Sequence, residues 1–371
     1  MNRLQDLFNH SLDAGSRDYS HPLFHLKALE RLGSCRTSKL GGHAQYCEEG
    51  HLNGIWYNSC KHRFCPQCNQ INKERWILNT QRILLDCPHH HVVFTMASEL
   101  NPLWKYNREL MSDLLFKTVQ ETIKKFASDK RYLEAMPGIL MALHTWGRDM
   151  NLHPHIHVLI SHGGLSDAGQ WVTPKKQHLF PQKPVMLVFR GKFLSRLKQL
   201  VQADLVILPP DTCSGAMLNC LNSLYRKDWV VHFCERYDHA RGVAKYLGRY
   251  IKGGPFKLTQ LVKVADGQVK FQYKSHQTQR YESIQMEESN FIRRILEHVA
   301  VPGKPSLRYG GLYVSSVRGK LNDARRLLGQ QEVETRIELD WLAYLGARDC
   351  LPVCKECGKL LTQKRAIETE H

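Results

Sequence analysis

Two apolar runs joined by a polar segment constrain the fold of this chain more than any other feature. Residues 138–146 and 155–160 are rich in apolar side chains, and the segment 147–154 between them carries glycine, aspartate, asparagine and proline. Apolar runs on either side of such a segment are typical of a β-hairpin. If its turn centres on Asp149-Met150, residues whose numbers sum to 299 lie opposite each other.

Three histidines of this hairpin form a candidate metal site. His155 and His157 are two residues apart, so in a strand they project from the same face, with Cβ atoms about 6.6 Å apart. The register places His144 directly opposite His155, at a Cβ separation of about 5 Å. The hairpin therefore predicts three imidazoles that converge on one ion. Solvated or core histidines are the alternative, because the chain contains 20 histidines.

Two tyrosines one helical turn apart form a candidate nucleophile pair. We predict a helix over 235–252, ended by Gly253-Gly254-Pro255, and it places Tyr246 and Tyr250 on one face. An adjacent basic edge is formed by Lys245, Arg249 and Lys252. An aromatic stripe packed into the core is the alternative. The nucleophilic interpretation gains weight because a metal site is available to polarise a phosphate.

Cysteine and histidine are concentrated near the N-terminus, in a segment where bound zinc would take the place of a hydrophobic core. Five of the 12 cysteines lie between Cys35 and Cys68. The spacing in Cys65-x₂-Cys68 lets two thiolates bind one tetrahedral Zn²⁺. We predict one site from Cys47, His51, Cys65 and Cys68. We predict a second, interleaved site from Cys35, His43, Cys60 and His62.

A smaller cysteine group, Cys350-x₃-Cys354-x₂-Cys357, lies near the C-terminus. It offers three thiolates and no nearby fourth ligand except the distant His371. An incomplete zinc knuckle and an ordinary tail are both compatible with this spacing.

The charge of the chain indicates a polyanionic partner. The formal net charge is +17 and the sequence pI is about 9.4, which favours nucleic acid over the alternatives of a ribosomal or membrane-surface protein. Between Phe291 and Gln330, eight basic residues face only two acidic ones, with Tyr309 and Tyr313 interleaved. This segment is a candidate track for a phosphate backbone, with a solvated helix face as the alternative. The basic residues that we predict to contact DNA are Arg148, Lys245, Arg249, Lys252, Arg293, Arg294, Arg308 and Arg318.

Chain length and hydropathy set the remaining expectations. A chain of 371 residues suits two or three domains. It has no apolar run long enough for a membrane span, and its first 15 residues lack the features of a signal peptide. We therefore expect a cytoplasmic protein with no membrane partner. The sequence alone predicts no oligomeric state.

The motifs together resemble those of HUH-type rolling-circle insertion-sequence transposases of the two-tyrosine class, which carry an N-terminal zinc-binding domain. The resemblance rests on LHTWGRD (143–149) and LHPHIHVL (152–159), and it extends from about residue 30 to about residue 325. Further matching segments are YNSC (57–60), CPQC (65–68), HVVFT (91–95), VFRGKF (188–193) and YLGRY (246–250). One departure is Gly50, where the family often has a second cysteine after Cys47; His51 is the candidate replacement.

The resemblance implies both a fold and an activity. The fold is α+β: a small zinc-binding domain (1–85), an HUH endonuclease domain with a central antiparallel sheet flanked by helices (86–300), and a basic C-terminal DNA-binding region (301–371). The activity is nicking of single-stranded DNA at the ends of a mobile element. Tyr246 or Tyr250 would form a 5′-phosphotyrosine bond, with Mg²⁺ or Mn²⁺ held by His144, His155 and His157, before strand transfer to a target. Such an enzyme would act in a bacterial cytoplasm, at the nucleoid.

Two other functions stay open at this point. A plasmid replication initiator or conjugative relaxase would share the HUH chemistry, although a helicase region does not fit in this length. A non-catalytic zinc-finger protein would bind DNA and leave no covalent adduct.

Overall fold

The computed structural model describes residues 3–18, 22–68, 70–176, 178–238, 254–275, 278–333, 341–346 and 348–367. The chain divides into two compact units. The first contains residues 1–76, 252–299 and 335–371, and the second contains 77–251 and 300–334. This division differs from the three consecutive segments expected from the sequence, because residues 252–299 and the C-terminal residues belong to the unit that holds the N-terminus.

The described residues form ten α-helices and twelve strands. The helices are α1 (Arg3–Asp18), α2 (Leu23–Gly33), α3 (Gln70–Ile83), α4 (Asn101–Tyr106), α5 (Arg108–Ala127), α6 (Gln182–Gln202), α7 (Ser214–Leu224), α8 (Glu288–Glu297), α9 (Arg318–Leu327) and α10 (Trp341–Gly346). The strands are β1 (Gly42–Tyr46), β2 (Leu52–Tyr57), β3 (His89–Thr95), β4 (Met136–Trp146), β5 (Leu152–Leu165), β6 (Trp171–Val172), β7 (Val231–Tyr237), β8 (Leu261–Ala265), β9 (Gln268–Lys274), β10 (Tyr281–Glu287), β11 (Leu307–Gly311) and β12 (Gln363–Ile367).

Two small antiparallel sheets belong to the first unit. One has the strand order β12-β1-β2, so the last described strand of the chain pairs with the first one. The other has the order β10-β9-β8, and its β8–β9 turn places Asp266 and Gly267 at positive φ. The Asp-Gly pair within residues 260–274 predicts a hairpin in the sequence, and positive φ at both residues is the conformation that such a two-residue turn requires.

A six-stranded antiparallel sheet forms the centre of the second unit. Its order is β11-β4-β5-β3-β7, and the short β6 pairs with β5. Because side chains alternate along a strand, one face of the sheet carries an apolar set that packs with α5, α6 and α7 into the main core. In β5 this set is Ile156, Val158 and Ile160, all fully buried. His155 and His157 therefore project from the opposite face.

Buried His89 and Tyr313 join β3 to the segment that follows β11. The His89 Nδ1 lies 2.8 Å from the carbonyl of Cys87 and accordingly donates to it, so its Nε2 accepts from the Tyr313 hydroxyl at 2.6 Å. Burial lowers the pKa of His89 to about 4 and raises that of Tyr313 well above its usual range. Tyr313 is only 2% exposed, so it cannot serve as the base-stacking platform that its position in the sequence suggested.

The buried neutral His89 predicts a loss of stability in mild acid. The unfolded chain binds a proton at this residue with the ordinary pKa of 6.5, whereas the folded chain stays neutral down to about 4. The unfolded state therefore binds more protons in this window, and about 3 kcal/mol is lost as pH falls from 6.5 to 4. We expect urea unfolding between pH 7.5 and 4.5 to show a decline to which His89 contributes together with other buried histidines such as His155 and His157, and His89→Gln to make that decline shallower. An unchanged pH slope in that variant, with exposed His153→Ala as the control, would contradict the assignment.

Candidate functional site

The β4–β5 pairing brings the three hairpin histidines together. His144 lies opposite His155, and Ala142 lies opposite His157, which is the register predicted from the sequence. A bulge between His144 and Trp146 shifts the pairing by one residue toward the turn. Because the bulge lies outside the histidine positions, it leaves the predicted alignment of the site unchanged.

The three imidazoles are close enough to share one ion. One nitrogen from each of His144, His155 and His157 lies within 4.8 Å of the other two. The Nε2 atoms of His155 and His157 are 3.1 Å apart. Two nitrogens that bind one ion at about 2.1 Å each are separated by about 3.0–3.4 Å, depending on the angle between the bonds. The spacing of this histidine triad, His144, His155 and His157, therefore fits a metal centre.

Hydrogen bonds behind the triad set which nitrogen faces the ion. The Nδ1 of His155 lies 2.6 Å from the carbonyl oxygen of His153, so it donates there and leaves the Nε2 lone pair for a metal. The Nδ1 of His157 lies 2.8 Å from the Nε2 of His91 on β3. If Nδ1 of His157 is the donor, its Nε2 is also left as the ligand atom. Such contacts orient metal-binding histidines.

Sequence reasoning missed His91. Its one signal was the run His89-His90-His91 at the start of a strand, in which alternate residues share a face. The partner, His157, lies 66 residues away in sequence, on a neighbouring strand. The contact therefore depends on the pairing of β3 with β5, which the local pattern of either strand does not specify.

Burial favours the neutral, metal-binding form of His155 and His157. Burial lowers the pKa of His155 to about 4 and lowers that of His157 well below its usual range. His144 is buried and stacks on Trp146 with ring centroids 4.8 Å apart. A metal ligand must be an unprotonated imidazole, so His155 and His157 need no proton loss at neutral pH to bind an ion.

The candidate nucleophiles Tyr246 and Tyr250 lie outside the described residues, together with Lys245, Arg249 and Lys252. The start of the predicted helix is corrected, because residues 235–237 are the end of strand β7. β7 pairs with β3, the strand that carries His91.

Four buried cysteines in the first unit form a tetrahedral cluster. Cys35, Cys60, Cys65 and Cys68 have all their sulfurs within 4.8 Å of one another. The sulfurs of Cys60 and Cys68 are 3.6 Å apart, and those of Cys35 and Cys65 are 3.5 Å apart. A disulfide requires about 2.05 Å, whereas two thiolates on one tetrahedral zinc lie about 3.8 Å apart. The cluster therefore has the geometry of a structural zinc site.

This arrangement corrects the division of ligands predicted from the sequence. Cys65 and Cys68 group with Cys35 and Cys60, not with Cys47 and His51. The latter two group instead with Cys354 and Cys357, which were not assigned to a site. Neither of the remaining predicted ligands belongs to these groups: His43 stacks near Trp56, and His62 accepts a hydrogen bond from the backbone of Phe64.

The predicted DNA-contacting arginines occupy different surroundings. Arg148 is exposed on the turn between β4 and β5, and Arg293 is exposed on α8, where it pairs with Glu297 at 3.1 Å. Arg294 on the same helix is half-buried. Arg308 is engaged within the fold, because it forms an ion pair with Asp113 and lies over the ring of Phe116. Arg318 has a buried NH1 nitrogen that makes no hydrogen bond to any described residue.

Comparisons with known proteins find one family for the N-terminal part of the chain and one for the region that contains the histidine triad. Residues 7–96 match a family described as "Transposase zinc-binding domain", and residues 138–320 match one described as "Putative transposase". The chain is 31% identical over 352 residues to "Putative transposase y4qJ" of Sinorhizobium fredii. This alignment covers 91% of this chain and 88% of that protein. It belongs to the IS91/IS801 family of insertion-sequence transposases, which are of the HUH rolling-circle type.

A second relative supports the same family. The chain is 29% identical over 303 residues to "Transposase for insertion sequence element IS801" of Pseudomonas savastanoi pv. phaseolicola, which covers 80% of this chain and 72% of that protein. No solved structure matches this transposase. As a member of this family, it is a DNA strand-transfer enzyme, and DNA is its partner. Within the described residues, no helix combines the length and apolar composition needed to cross a bilayer.

Proposed function

We propose that this transposase nicks single-stranded DNA at the ends of its mobile element and rejoins the strands through a 5′-phosphotyrosine intermediate. The observation that carries the proposal is the histidine triad on two paired strands, with its ligand atoms within 4.8 Å of one another. Strands hold ligands more rigidly than loops do, and fixed ligands favour one geometry of the bound phosphate.

The ligand set favours one of the two ions predicted from the sequence. Among the described residues the triad has no carboxylate within its group. Because Mg²⁺ is bound almost entirely by oxygen ligands, three imidazoles disfavour it and leave Mn²⁺ as the better candidate of the two. A divalent ion held there would bind oxygens of the scissile phosphate and offset the charge that develops on them.

The phenol of Tyr246 or Tyr250 is the proposed nucleophile. Its oxygen forms a bond to phosphorus while the bond between phosphorus and the 3′-oxygen breaks, so one phosphodiester replaces another. The phenolic proton is lost to solvent, and the departing 3′-oxygen takes up a proton to give a free 3′-OH. Attack of a 3′-OH on the phosphotyrosine reverses these changes and joins the strands. The second tyrosine would hold the other strand end.

The N-terminal domain is proposed to recognise DNA. Its cluster of Cys35, Cys60, Cys65 and Cys68 would bind structural Zn²⁺, and the matching family is a transposase zinc-binding domain.

Exposed Arg148 and Arg293 would contact phosphates in addition to the basic edge at Lys245, Arg249 and Lys252. The numerous basic residues predict DNA affinity that falls steeply with salt.

The proposal is tested by trapping the covalent intermediate. We expect the full-length protein, incubated with single-stranded oligonucleotides from the element ends and Mn²⁺, to give a protein–DNA adduct that survives denaturation. Oligonucleotides of scrambled sequence should give no adduct. DNA binding without any adduct across all element-end strands would instead favour a non-catalytic DNA-binding protein.

A further inference from the structure

Two segments from opposite ends of the chain meet in a second group of metal-binding side chains. One is the loop after β1, which supplies Cys47 and His51; the other is the loop before β12, which supplies Cys354 and Cys357. All four ligand atoms lie within 4.8 Å of one another. We infer that these four residues bind a second zinc ion, which fastens the C-terminal strand to the N-terminal hairpin.

The distances within this Cys₃His group are those of a tetrahedral site. The sulfurs of Cys47 and Cys357 are 3.6 Å apart. The Nδ1 of His51 lies 3.5 Å from the sulfur of Cys47 and 3.8 Å from that of Cys354. Around a tetrahedral zinc, two sulfurs are about 3.8 Å apart, and a sulfur and a nitrogen are about 3.6 Å apart. The sulfurs are too distant for a disulfide.

The surroundings of His51 also point to a metal. Its Nδ1 faces the thiols, while its Nε2 lies 3.7 Å from a carboxylate oxygen of Glu356. A carboxylate behind a histidine favours the proton on the far nitrogen and leaves the near one free to bind zinc. Lys359 and Glu49 form an ion pair between the same two loops.

The backbone of the C-terminal loop has a turn suited to metal binding. The amide of Gly358 donates to the carbonyl of Cys354 at 2.9 Å, and the amide of Glu356 lies 3.4 Å from the Cys354 sulfur. Gly358 has a φ of 72°, which permits the tight turn after Cys357. Amides directed at the sulfur stabilise a thiolate.

Hydrophobic packing alone would hold residues 351–367 only weakly. Its exposed hydrophobic side chains are Leu351, Val353 and Leu360. The small apolar cluster beside the site contains Leu361 and the cysteines themselves. Further attachment comes from the pairing of β12 with β1, from Gly42–Ile367 to Tyr46–Gln363, and from the exposed ion pair of Lys359 with Glu49. A zinc ion would therefore supply what a hydrophobic core supplies elsewhere.

The experiment is a zinc count on full-length protein by elemental analysis. The His155→Ala/His157→Ala background removes the triad as a competing site. We expect about two zinc ions per chain in this background and about one after Cys357→Ser. Cys68→Ser, which removes a ligand of the other cluster, should also leave about one, and both changes together should leave none. Exposed Cys350→Ser is the matched control and should keep two.

A second measurement remains informative if Cys357→Ser does not fold. His51→Ala removes a half-exposed ligand and leaves the three cysteine ligands in place. This variant should also bind one zinc ion fewer. It should also raise hydrogen exchange in residues 352–367 and leave the exchange of β3, β4 and β5 unchanged. Zinc retained in full by both variants, or a disulfide between Cys47 and Cys357 in the purified protein, would overturn the inference. DNA cleavage is not a readout here, so failure of this site is distinguishable from failure of the proposed function.

Discussion

Replacing both His155 and His157 with alanine is expected to abolish cleavage of single-stranded element ends while DNA binding survives. The triad places the two Nε2 atoms 3.1 Å apart, so the double change removes two of the three proposed metal ligands. A metal ion at a reacting phosphate supplies several kcal/mol, which corresponds to a loss of about 10³-fold or more in the cleavage rate. The measurement is a single-turnover cleavage assay with Mn²⁺, with binding followed separately by fluorescence anisotropy.

The control is His153→Ala, which removes an exposed imidazole from the same strand but leaves the triad complete. It should cleave at close to the wild-type rate. Full cleavage by the double variant, or by the wild type in excess EDTA, would refute metal dependence. If His144→Ala alone cleaves normally, the third ligand lies elsewhere.

His91 allows a finer test of the same site. Because it contacts the Nδ1 of His157 at 2.8 Å, it should position that ligand without touching the ion. Loss of such a partner lowers metal affinity by about 10- to 100-fold. We therefore expect His91→Ala to need more Mn²⁺ for half-maximal cleavage and to recover most of its rate at saturating Mn²⁺. A rate that stays low at saturation would point to a different role.

Converting both Tyr246 and Tyr250 to phenylalanine is expected to eliminate the covalent adduct. The change removes only the two hydroxyls, so the fold and the affinity for DNA should persist. An unactivated phenol has a pKa near 10. Lys245, Arg249 and the ion would favour its ionised form, because positive charge stabilises the phenolate. Each single variant should still form an adduct, since the two tyrosines lie one helical turn apart in the predicted helix.

Peptide mapping of the trapped adduct identifies the nucleophile directly. We expect DNA on Tyr246 or Tyr250 in the wild type, and on the remaining tyrosine in each single variant. Tyr309→Phe changes a tyrosine outside the predicted nucleophile pair and serves as the matched control. DNA attached to any third residue, or an adduct in the double variant, would show the mechanism to be wrong.

The sequence by itself determined the hairpin and its register. Strand side chains alternate with a period of two, and a turn fixes which residues face each other, so local information sufficed to align His144 with His155. An Asp-Gly pair is a local signal of the same kind, and it marks the two-residue turn at Asp266-Gly267. Residues adjacent in space were close in sequence in each of these cases.

Tertiary structure decided which ligands share a metal. The Cys65-x₂-Cys68 spacing shows that two thiolates can bind one ion, but it carries no information about the other two ligands. Cys35 lies 30 residues from Cys65, and Cys357 lies 310 residues from Cys47. For Cys47 and His51, the other two ligands are determined by the pairing of β12 with β1, which brings the C-terminal loop beside the N-terminal one. Metal sites built from such distant segments follow strand pairing, which one sequence does not specify because many pairings satisfy the same local pattern.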